Sequence, residues 1–428
     1  MTPLEKLRQQ NTQFPRQLLK ISDNVYTATG YSAANVSMII GDGGLIIIDT
    51  TESTKAASLI LEQFRTVTDL PVKTIIYTHG HRDHISGASV FAGDGEPEVI
   101  ARACLASDLT EVEGRPAPVK ALLARTKRQF GMGLKFPEER INIGIGPGDR
   151  PLEGLGAGFL PPTKSFDGQS TKFESCGIGL ELHAAPGETP DQAVVWYADQ
   201  RILFCADNFY HSFPNLYAIR GTRYRDFDDW ADTAELMCGF DAEVLCTGHT
   251  LPVVGAANVR ERLGDYRDAI RWVINHTIEQ INAGKTPDEI AASIRLPDGL
   301  ADKPWLQEFY GKVSFAARAY FAGTIGWFDG NPTSLQPVPP PERASKLVAM
   351  AGGIDAVWQQ AQAAIDSDEL QWAMELLDIL LGAGERQEDA RECKAGLLVR
   401  LADREINAPV RNYYLVYAGE LRDGTVEK

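Results

Sequence analysis

The chain has 428 residues, more than a single hydrophobic core usually organises, and this length predicts at least two domains. Its formal net charge of −16 disfavours a nucleic-acid partner and means that an anionic substrate would need a local cationic group. No apolar run approaches the roughly 18 residues of a membrane-spanning helix, so we expect no membrane span. The N-terminal segment is polar and lacks the apolar core of a signal peptide, so we expect a cytoplasmic protein.

The N-terminal part of the chain has the pattern of alternating strands and helices. Residues 36–51 are typical of two strands joined by a tight turn at Asp42, Gly43 and Gly44. An amphipathic helical pattern comes next, and then a buried strand that leads to His79. Further strand patterns follow at 177–185, 192–199, 201–208 and 242–250. Strand-rich halves with interspersed helices are typical of an α/β sandwich.

Helical patterns dominate the sequence after about Tyr266. Thr286 can cap one of these helices, with Pro287 in the first turn and Glu289 placed to close a capping box. This half contains one histidine, His276, so we expect it to be structural or oligomeric rather than catalytic.

These patterns predict three parts. They are an N-terminal extension over residues 1–20, an α/β catalytic domain over residues 21–265 and an all-α domain over residues 266–428. Inside the second part, the glycine-rich segment 142–158 lacks the GxxxxGK[ST] pattern of a phosphate-binding loop. Either a flexible flap beside an active site or an inert surface loop would fit it.

The strongest local signal is a cluster of metal-binding side chains directly after a buried strand. His79, His81, Asp83 and His84 lie within six residues. A strand end presents side chains on a loop that the sheet holds in place. Imidazole suits zinc, and a neighbouring carboxylate allows a second metal site. The sequence therefore predicts a metal centre at this position.

One such cluster cannot complete two four-coordinate sites, so later segments must contribute ligands. Three residues each lie just past a predicted strand, namely Glu188 in a Pro-Gly-Glu-Thr turn, Asp207, and His249 in Gly-His-Thr. Alone, Glu188 and Asp207 would more often be loop or turn residues. With the histidine cluster, all three are predicted to be ligands.

The order of these motifs resembles the metallo-β-lactamase superfamily, in which THxHxDHxxGA, a Pro-Gly-X-Thr turn, an acidic residue after a strand and a final Gly-His follow one another. The turn usually carries histidine, and Glu188 in its place resembles the alkyl sulfatase branch. Residues 208–225 resemble that branch's Asn-Leu-x-x-x-Arg-Gly segment, and the helical half resembles its dimerisation domain. The sterol-carrier-like domain that often follows in the family has no counterpart before Lys428.

The resemblance implies an αββα sandwich followed by an all-α domain, a homodimer, and hydrolysis of alkyl sulfate esters by a water molecule that two zinc ions per chain activate. It also implies the ligand sets, in which Asp207 bridges the two ions where alkyl sulfatases more often have glutamate. One zinc would be held by His79, His81 and Glu188, and the other by Asp83, His84 and His249. Histidine is the superfamily's usual residue at the turn, so Glu188→His is expected to keep metal and change activity.

Three further residues between Asp207 and residue 225 are candidates for contact with a sulfate monoester. Arg220 offers a planar fork of donors that suits such an anion, and Asn215 offers a neutral donor. His211 is the candidate catalytic residue as a proton donor, and roles as a partner of a ligand or as a packed histidine stay open. Arg225 stays protonated, so no general acid is identified near it.

The sequence departs from the family in the sulfate pocket. The family uses a tyrosine there, between the histidine cluster and the ligand glutamate. This chain has no tyrosine between Tyr77 and Tyr197. Sulfate would then be held less tightly, or another residue would substitute.

Two alternative functions stay open. A related hydrolase of thioesters or lactams would share the metal ligands but would not need Arg220 or the helical half. A non-catalytic binding or scaffold protein with a vestigial metal domain would have no physical reason to keep seven ligands.

Overall fold

The chain is described here from a computed structural model that covers residues 1–105 and 118–426. In these ranges, thirteen strands form two sheets whose neighbouring strands follow the order of the sequence. The first sheet contains β1 (Gln17–Lys20), β2 (Val25–Thr29), β3 (Val36–Gly41), β4 (Gly44–Ile48), β5 (Val72–Ile76), β6 (Glu98–Arg102) and β7 (Lys164–Phe166). The second contains β8 (Ser170–Ser175), β9 (Ile178–Ala184), β10 (Ala193–Tyr197), β11 (Ile202–Phe204), β12 (Val244–Cys246) and β13 (Val253–Val254).

The α-helices of the described residues are, in chain order, α1 (Pro3–Gln10), α2 (Thr54–Arg65), α3 (Arg82–Ile85), α4 (Ala88–Ala92), α5 (Val119–Gln129), α6 (Phe227–Cys238), α7 (Ala256–Asn282), α8 (Pro287–Ser293), α9 (Val313–Ile325), α10 (Pro340–Met350), α11 (Ile354–Asp366), α12 (Leu370–Ala383), α13 (Gln387–Ala402) and α14 (Ala408–Asp423). None of the described helices is long and apolar enough to cross a membrane.

Pairing in the first sheet changes from antiparallel to parallel along the chain. β1 to β4 form an antiparallel meander, and the predicted hairpin at Asp42 is confirmed by the pairing of Gly41 with Gly44. β4 to β7 are parallel. The parallel strands point their carboxyl ends toward one edge, where an α/β sheet usually carries its site.

Two sheets face each other across an apolar core, and helices cover both outer faces. Between the sheets, Ile46 and Ile76 of the first pack with Leu182 and Val195 of the second. On the first sheet's other face, α2 and α4 bury Phe64 and Phe91 against the strands. α6 and α7 cover the second sheet in the same way. This arrangement confirms the predicted αββα sandwich.

The predicted boundary between residues 265 and 266 lies inside α7, which is one continuous helix. Residues on both sides of that position, such as Val259 and Val273, are buried in the same core as Trp230. The first half of α7 therefore belongs to the outer helical layer of the sandwich, and its second half leads into the helical region.

The helical region has a core of its own. Helices α10 to α14 enclose a separate apolar cluster that runs from Val348 to Leu421. The predicted capping box is present at the start of α8, where Glu289 N donates to the Thr286 hydroxyl at 3.3 Å and Thr286 N donates to the Glu289 carboxylate at 2.8 Å.

The predicted N-terminal extension is joined to the rest of the fold. β1 lies within residues 1–20 and pairs with β2, and Leu7 of α1 is buried beside Ile141 and Ala408. The first residues therefore connect the sandwich with α14 of the helical region.

Candidate metal centre and substrate cavity

The histidine cluster occupies the carboxyl end of β5, as predicted. The chain leaves the strand at Ile76, places His79 in the following loop, and forms the short helix α3, which carries Asp83 and His84. His79 and His84 are fully buried, so their rings are held in place by packing as well as by hydrogen bonds.

Asp207 lies at the centre of the cluster, in a short helical turn directly after β11. Its Oδ1 atom is 3.2 Å from Nε2 of His84 and 3.1 Å from Nε2 of His249. Its Oδ2 atom is 3.6 Å from Nε2 of His79. The two oxygens of one carboxylate therefore face different histidines, which is the arrangement that a bridging ligand requires.

The structure brings all seven predicted ligands together. Their ligand atoms form three overlapping groups, each within 4.8 Å, namely His79 with His84 and Asp207, Asp83 with His84 and His249, and His81 with Glu188 and Asp207. Nε2 of His84 and Nε2 of His249 are buried 3.2 Å and 3.1 Å from Oδ1 of Asp207, yet their angles do not form a hydrogen bond, and none of the three atoms has another partner among the described residues. Buried polar atoms without partners are costly. Cations at their centre would satisfy them, so the residues fit a divalent metal centre.

Neighbouring groups orient the imidazoles of this centre. Nδ1 of His84 lies 2.7 Å from Asp49, and Nδ1 of His249 lies 2.7 Å from the carbonyl oxygen of Ala33. Each contact leaves Nε2 directed toward the cluster. A second hydrogen bond of this kind fixes the ring and the tautomer of a metal-binding histidine.

Burial and neighbouring charges divide the histidines into two kinds. Burial, together with neighbouring imidazoles and arginines, holds the pKa of His79 and of His81 well below the ordinary value. Burial also opposes protonation of His84 and His249, but the carboxylate of Asp207 outweighs it. The pKa of His84 is therefore raised well above its ordinary value, and that of His249 is raised to about 9.

Glu188 has a cationic partner that the sequence analysis did not identify. Nη1 of Arg225 lies 2.6 Å from Oε1 of Glu188, and both side chains are almost fully buried. Burial raises the pKa of Glu188 to about 7, and the Arg225 guanidinium acts in the opposite direction. The sequence did contain a signal, because a glutamate in place of histidine brings an extra negative charge that needs a counter-ion.

A cavity of about 130 Å³ opens beside the cluster. Its polar wall includes His81, Asp83, Glu188, Asp207 and Arg220. Eight apolar side chains also line it, namely Ala33, Leu123, Phe130, Met132, Ile143, Ile145, Leu152 and Leu155, together with the polar residues Glu52, Arg82, Thr126 and Arg150. An anionic group beside the cationic side chains and a hydrocarbon group against the apolar ones would match this lining.

The glycine-rich segment supplies much of the apolar wall, so it lies beside the site and is not an inert surface loop. Ile143 and Ile145 are buried and line the cavity. Asn142 is fully buried, donates to the carbonyl oxygen of Leu7, and accepts from Gly144 N. These contacts fix the segment as a wall of the cavity.

The three residues predicted to contact substrate have different positions. Arg220 lines the cavity, as expected. Asn215 is buried but is not among the described residues that line it, and its backbone N donates to the Tyr210 hydroxyl at 2.7 Å. Its position therefore does not support the predicted direct contact.

The catalytic role predicted for His211 is not supported either. Its Nε2 atom lies 3.1 Å from the carbonyl oxygen of Leu251, and its ring packs edge-on against Phe209. Burial and the nearby Arg262 lower the pKa of His211 to about 4. His211 is absent from the described cavity wall. Of the roles left open by the sequence, these contacts favour that of a packed histidine.

Tyr310 lines the cavity and was missed by the sequence analysis. It comes from the segment before α9, so the helical half contributes to the site, contrary to the prediction. Its backbone N donates to the Ser212 hydroxyl, and its carbonyl accepts from Asn407. A tyrosine from a distant part of the chain thus stands at the cavity, although no tyrosine lies between Tyr77 and Tyr197.

Comparison with known proteins agrees with this geometry. Residues 29–249 match the family model of the metallo-β-lactamase superfamily, and residues 286–424 match that of alkyl sulfatase dimerisation. The chain is 35% identical to a linear primary-alkylsulfatase of Pseudomonas sp., over 91% of this chain and 74% of the relative. It is 32% identical to the alkyl/aryl-sulfatase BDS1 of Saccharomyces cerevisiae, over 96% of this chain and 65% of the relative.

A solved structure is similar over the whole chain. The stereoselective inverting sec-alkylsulfatase Pisa1 from Pseudomonas sp. superposes with a TM-score of 0.90 at 28% identity, and the match covers 100% of this chain and 68% of that one. Membership of the superfamily implies that the cluster around Asp207 binds divalent metal. The chain belongs to the alkyl sulfatase family within the metallo-β-lactamase superfamily.

Proposed function

We propose that this protein hydrolyses alkyl sulfate esters to an alcohol and inorganic sulfate. The observation that carries the proposal is the cavity itself, where a metal-binding cluster and Arg220 face an apolar wall. The relatives named alkylsulfatases support the same reaction class.

We propose that different residues of the cavity bind the sulfate group and the hydrocarbon part of the substrate. Arg220 donates to the sulfate oxygens, since its planar guanidinium matches such an anion. The Tyr310 hydroxyl is a second donor in the same cavity and takes the place of the family's missing tyrosine. The apolar wall around Ile143 and Leu155 receives the hydrocarbon part and excludes water from it. Arg220 also offsets the repulsion between an anion and a chain of net charge −16.

Two zinc ions per chain are proposed as the cofactors. His79, His81 and Glu188 would hold one ion, Asp83, His84 and His249 the other, and Asp207 both. When bound, the ions supply Lewis-acid polarisation and activation of water at neutral pH. Elemental analysis of protein purified without chelator should give two zinc ions per chain. One ion or none would contradict the proposed count.

A substrate panel tests the reaction. Dodecyl sulfate, lactoylglutathione and a cephalosporin represent sulfate esters, thioesters and lactams. We expect sulfate release from dodecyl sulfate, its loss after chelation and its return on addition of zinc. If the protein hydrolyses the thioester or the lactam but releases no sulfate from dodecyl sulfate, it is a thioester or lactam hydrolase and the proposal is wrong. A metal-free protein that turns over none of the three would favour the scaffold alternative.

We also propose a homodimer that forms mainly through residues after about Tyr266. The match of residues 286–424 to the dimerisation family supports it. Light scattering at micromolar concentration should give twice the chain mass, and a monomer would contradict the proposal.

A further inference from the structure

We propose that Arg225 is a positioning residue that acts with Glu188 as one unit and replaces the neutral histidine usual at this turn. The inference rests on the proposed role of Glu188 as a metal ligand. It assigns to Arg225 the tasks of fixing the direction of that carboxylate and balancing its charge.

The contacts of Arg225 support this role. Its Nη1 atom lies 2.6 Å from Oε1 of Glu188 and donates to the carbonyl oxygen of Asn215 at 2.5 Å. One guanidinium nitrogen therefore joins the metal-binding turn to the segment that ends in Arg220. The carboxylate cannot rotate away from the cluster without losing its bond to a group that the backbone holds in place.

The charges lead to the same conclusion. A glutamate in place of histidine adds one negative charge to a buried centre that already contains Asp83 and Asp207. A buried charge is costly unless it is paired. The side chains of Arg225 and Glu188 are only 2% and 4% exposed, so water cannot screen either one effectively. Together they carry the formal charge of the neutral imidazole that they replace.

Burial of the pair also predicts that its members depend on each other. Glu188→His would leave Arg225 as a buried cation without its carboxylate, and Arg225→Met would leave Glu188 as a buried anion without its cation. Removal of one partner from a buried pair is strongly destabilising, whereas replacement of both can be nearly neutral. The sequence alone predicts that Glu188→His keeps metal. Because the substitution would leave the buried Arg225 without its partner, we now expect Glu188→His to bind metal less tightly.

The experiment compares four proteins, namely the wild type, Glu188→His, Arg225→Met and the double variant Glu188→His/Arg225→Met. Zinc retention is measured by dialysis against graded concentrations of chelator followed by elemental analysis, and Tm by thermal unfolding. We expect each single variant to lose zinc affinity by roughly tenfold to a hundredfold and to melt earlier. The double variant should recover most of both losses. Arg223→Met, which removes an exposed arginine from the same loop, is the matched control and should retain zinc like the wild type.

Two outcomes would overturn the inference. The first is a double variant that retains no more zinc than the worse single variant, whether or not that single variant folds. The second is an Arg225→Met protein with wild-type zinc affinity and a raised KM for dodecyl sulfate, because Arg225 would then contact substrate directly. Zinc retention is read without turnover, so the first outcome does not depend on the reaction proposed above, and only the KM in the second outcome requires that reaction.

Discussion

Oδ2 of Asp49, directly after β4, lies 2.7 Å from Nδ1 of His84 in α3, the short helix that follows β5. The same carboxylate accepts from the backbone N and the hydroxyl of Thr78, each at 2.9 Å. Asp49 therefore ties two neighbouring strand ends together and directs Nε2 of His84 at Asp207.

This relationship predicts the effect of Asp49→Asn. The amide cannot serve as a charged acceptor to His84 and to Thr78 at once, so the imidazole loses orientation and basicity. We expect zinc affinity to fall roughly tenfold to a hundredfold, as is typical for partners of metal-binding histidines. Competition with a chromogenic chelator measures the change. Asp23→Asn, at a fully exposed carboxylate, is the control, and equal affinity in the two variants would contradict the role of Asp49.

Arg220→Ala tests the substrate class. A charged hydrogen bond is worth roughly 1.5–3 kcal/mol, which corresponds to about a tenfold to hundredfold loss in kcat/KM for an alkyl sulfate. Arg220→Lys should recover only part of the loss, because an ammonium keeps the charge but not the fork. Zinc content should not change in either variant. Wild-type turnover of dodecyl sulfate by Arg220→Ala would shift support to the thioester or lactam alternative.

Tyr310→Phe removes one hydroxyl from the cavity and leaves the ring in place. If that hydroxyl donates to the bound sulfate group, kcat/KM for dodecyl sulfate should fall by roughly tenfold, the value of one hydrogen bond to a charged group. Tm should stay close to that of the wild type, since Tyr310 is held by hydrogen bonds of its backbone and by the contact of its ring with Tyr210. Tyr26→Phe, on β2, is the control. An unchanged kcat/KM would show that the hydroxyl does not contact the substrate.

His211 should affect stability at low pH rather than catalysis. The unfolded chain takes up a proton on this residue near pH 6.5, but the folded chain does so only near pH 4. Its contribution is therefore unchanged above about pH 6.5 and becomes destabilising as the pH falls toward 4. At about 1.4 kcal/mol per pKa unit, up to about 3 kcal/mol of the free energy of unfolding is lost.

His211→Gln should reduce this loss, and urea unfolding between pH 4 and pH 7 measures it. At neutral pH, His211→Gln should keep kcat/KM near the wild-type value. A large fall in kcat/KM with zinc content and Tm preserved would restore the catalytic role.

The sequence alone determined the fold class and the members of the metal cluster. Four of the proposed ligands lie between His79 and His84, so their proximity is a local property of the chain. Glu188, Asp207 and His249 each follow a strand pattern, and strands that align in one sandwich bring such ends together. Both predictions use only the spacing of residues along the chain and the known alignment of strand ends in a sheet, and both can be derived from the sequence.

Only the tertiary structure decided which other residues share the site. Tyr310 reaches the cavity from the helical half, Arg225 pairs with Glu188 across two loops, and His211 turns its ring toward Leu251. Each depends on how segments distant in the sequence pack against one another, and no periodicity or spacing encodes that. The continuity of α7 through the predicted boundary has the same origin, because the buried face of α7 belongs to the core of the sandwich.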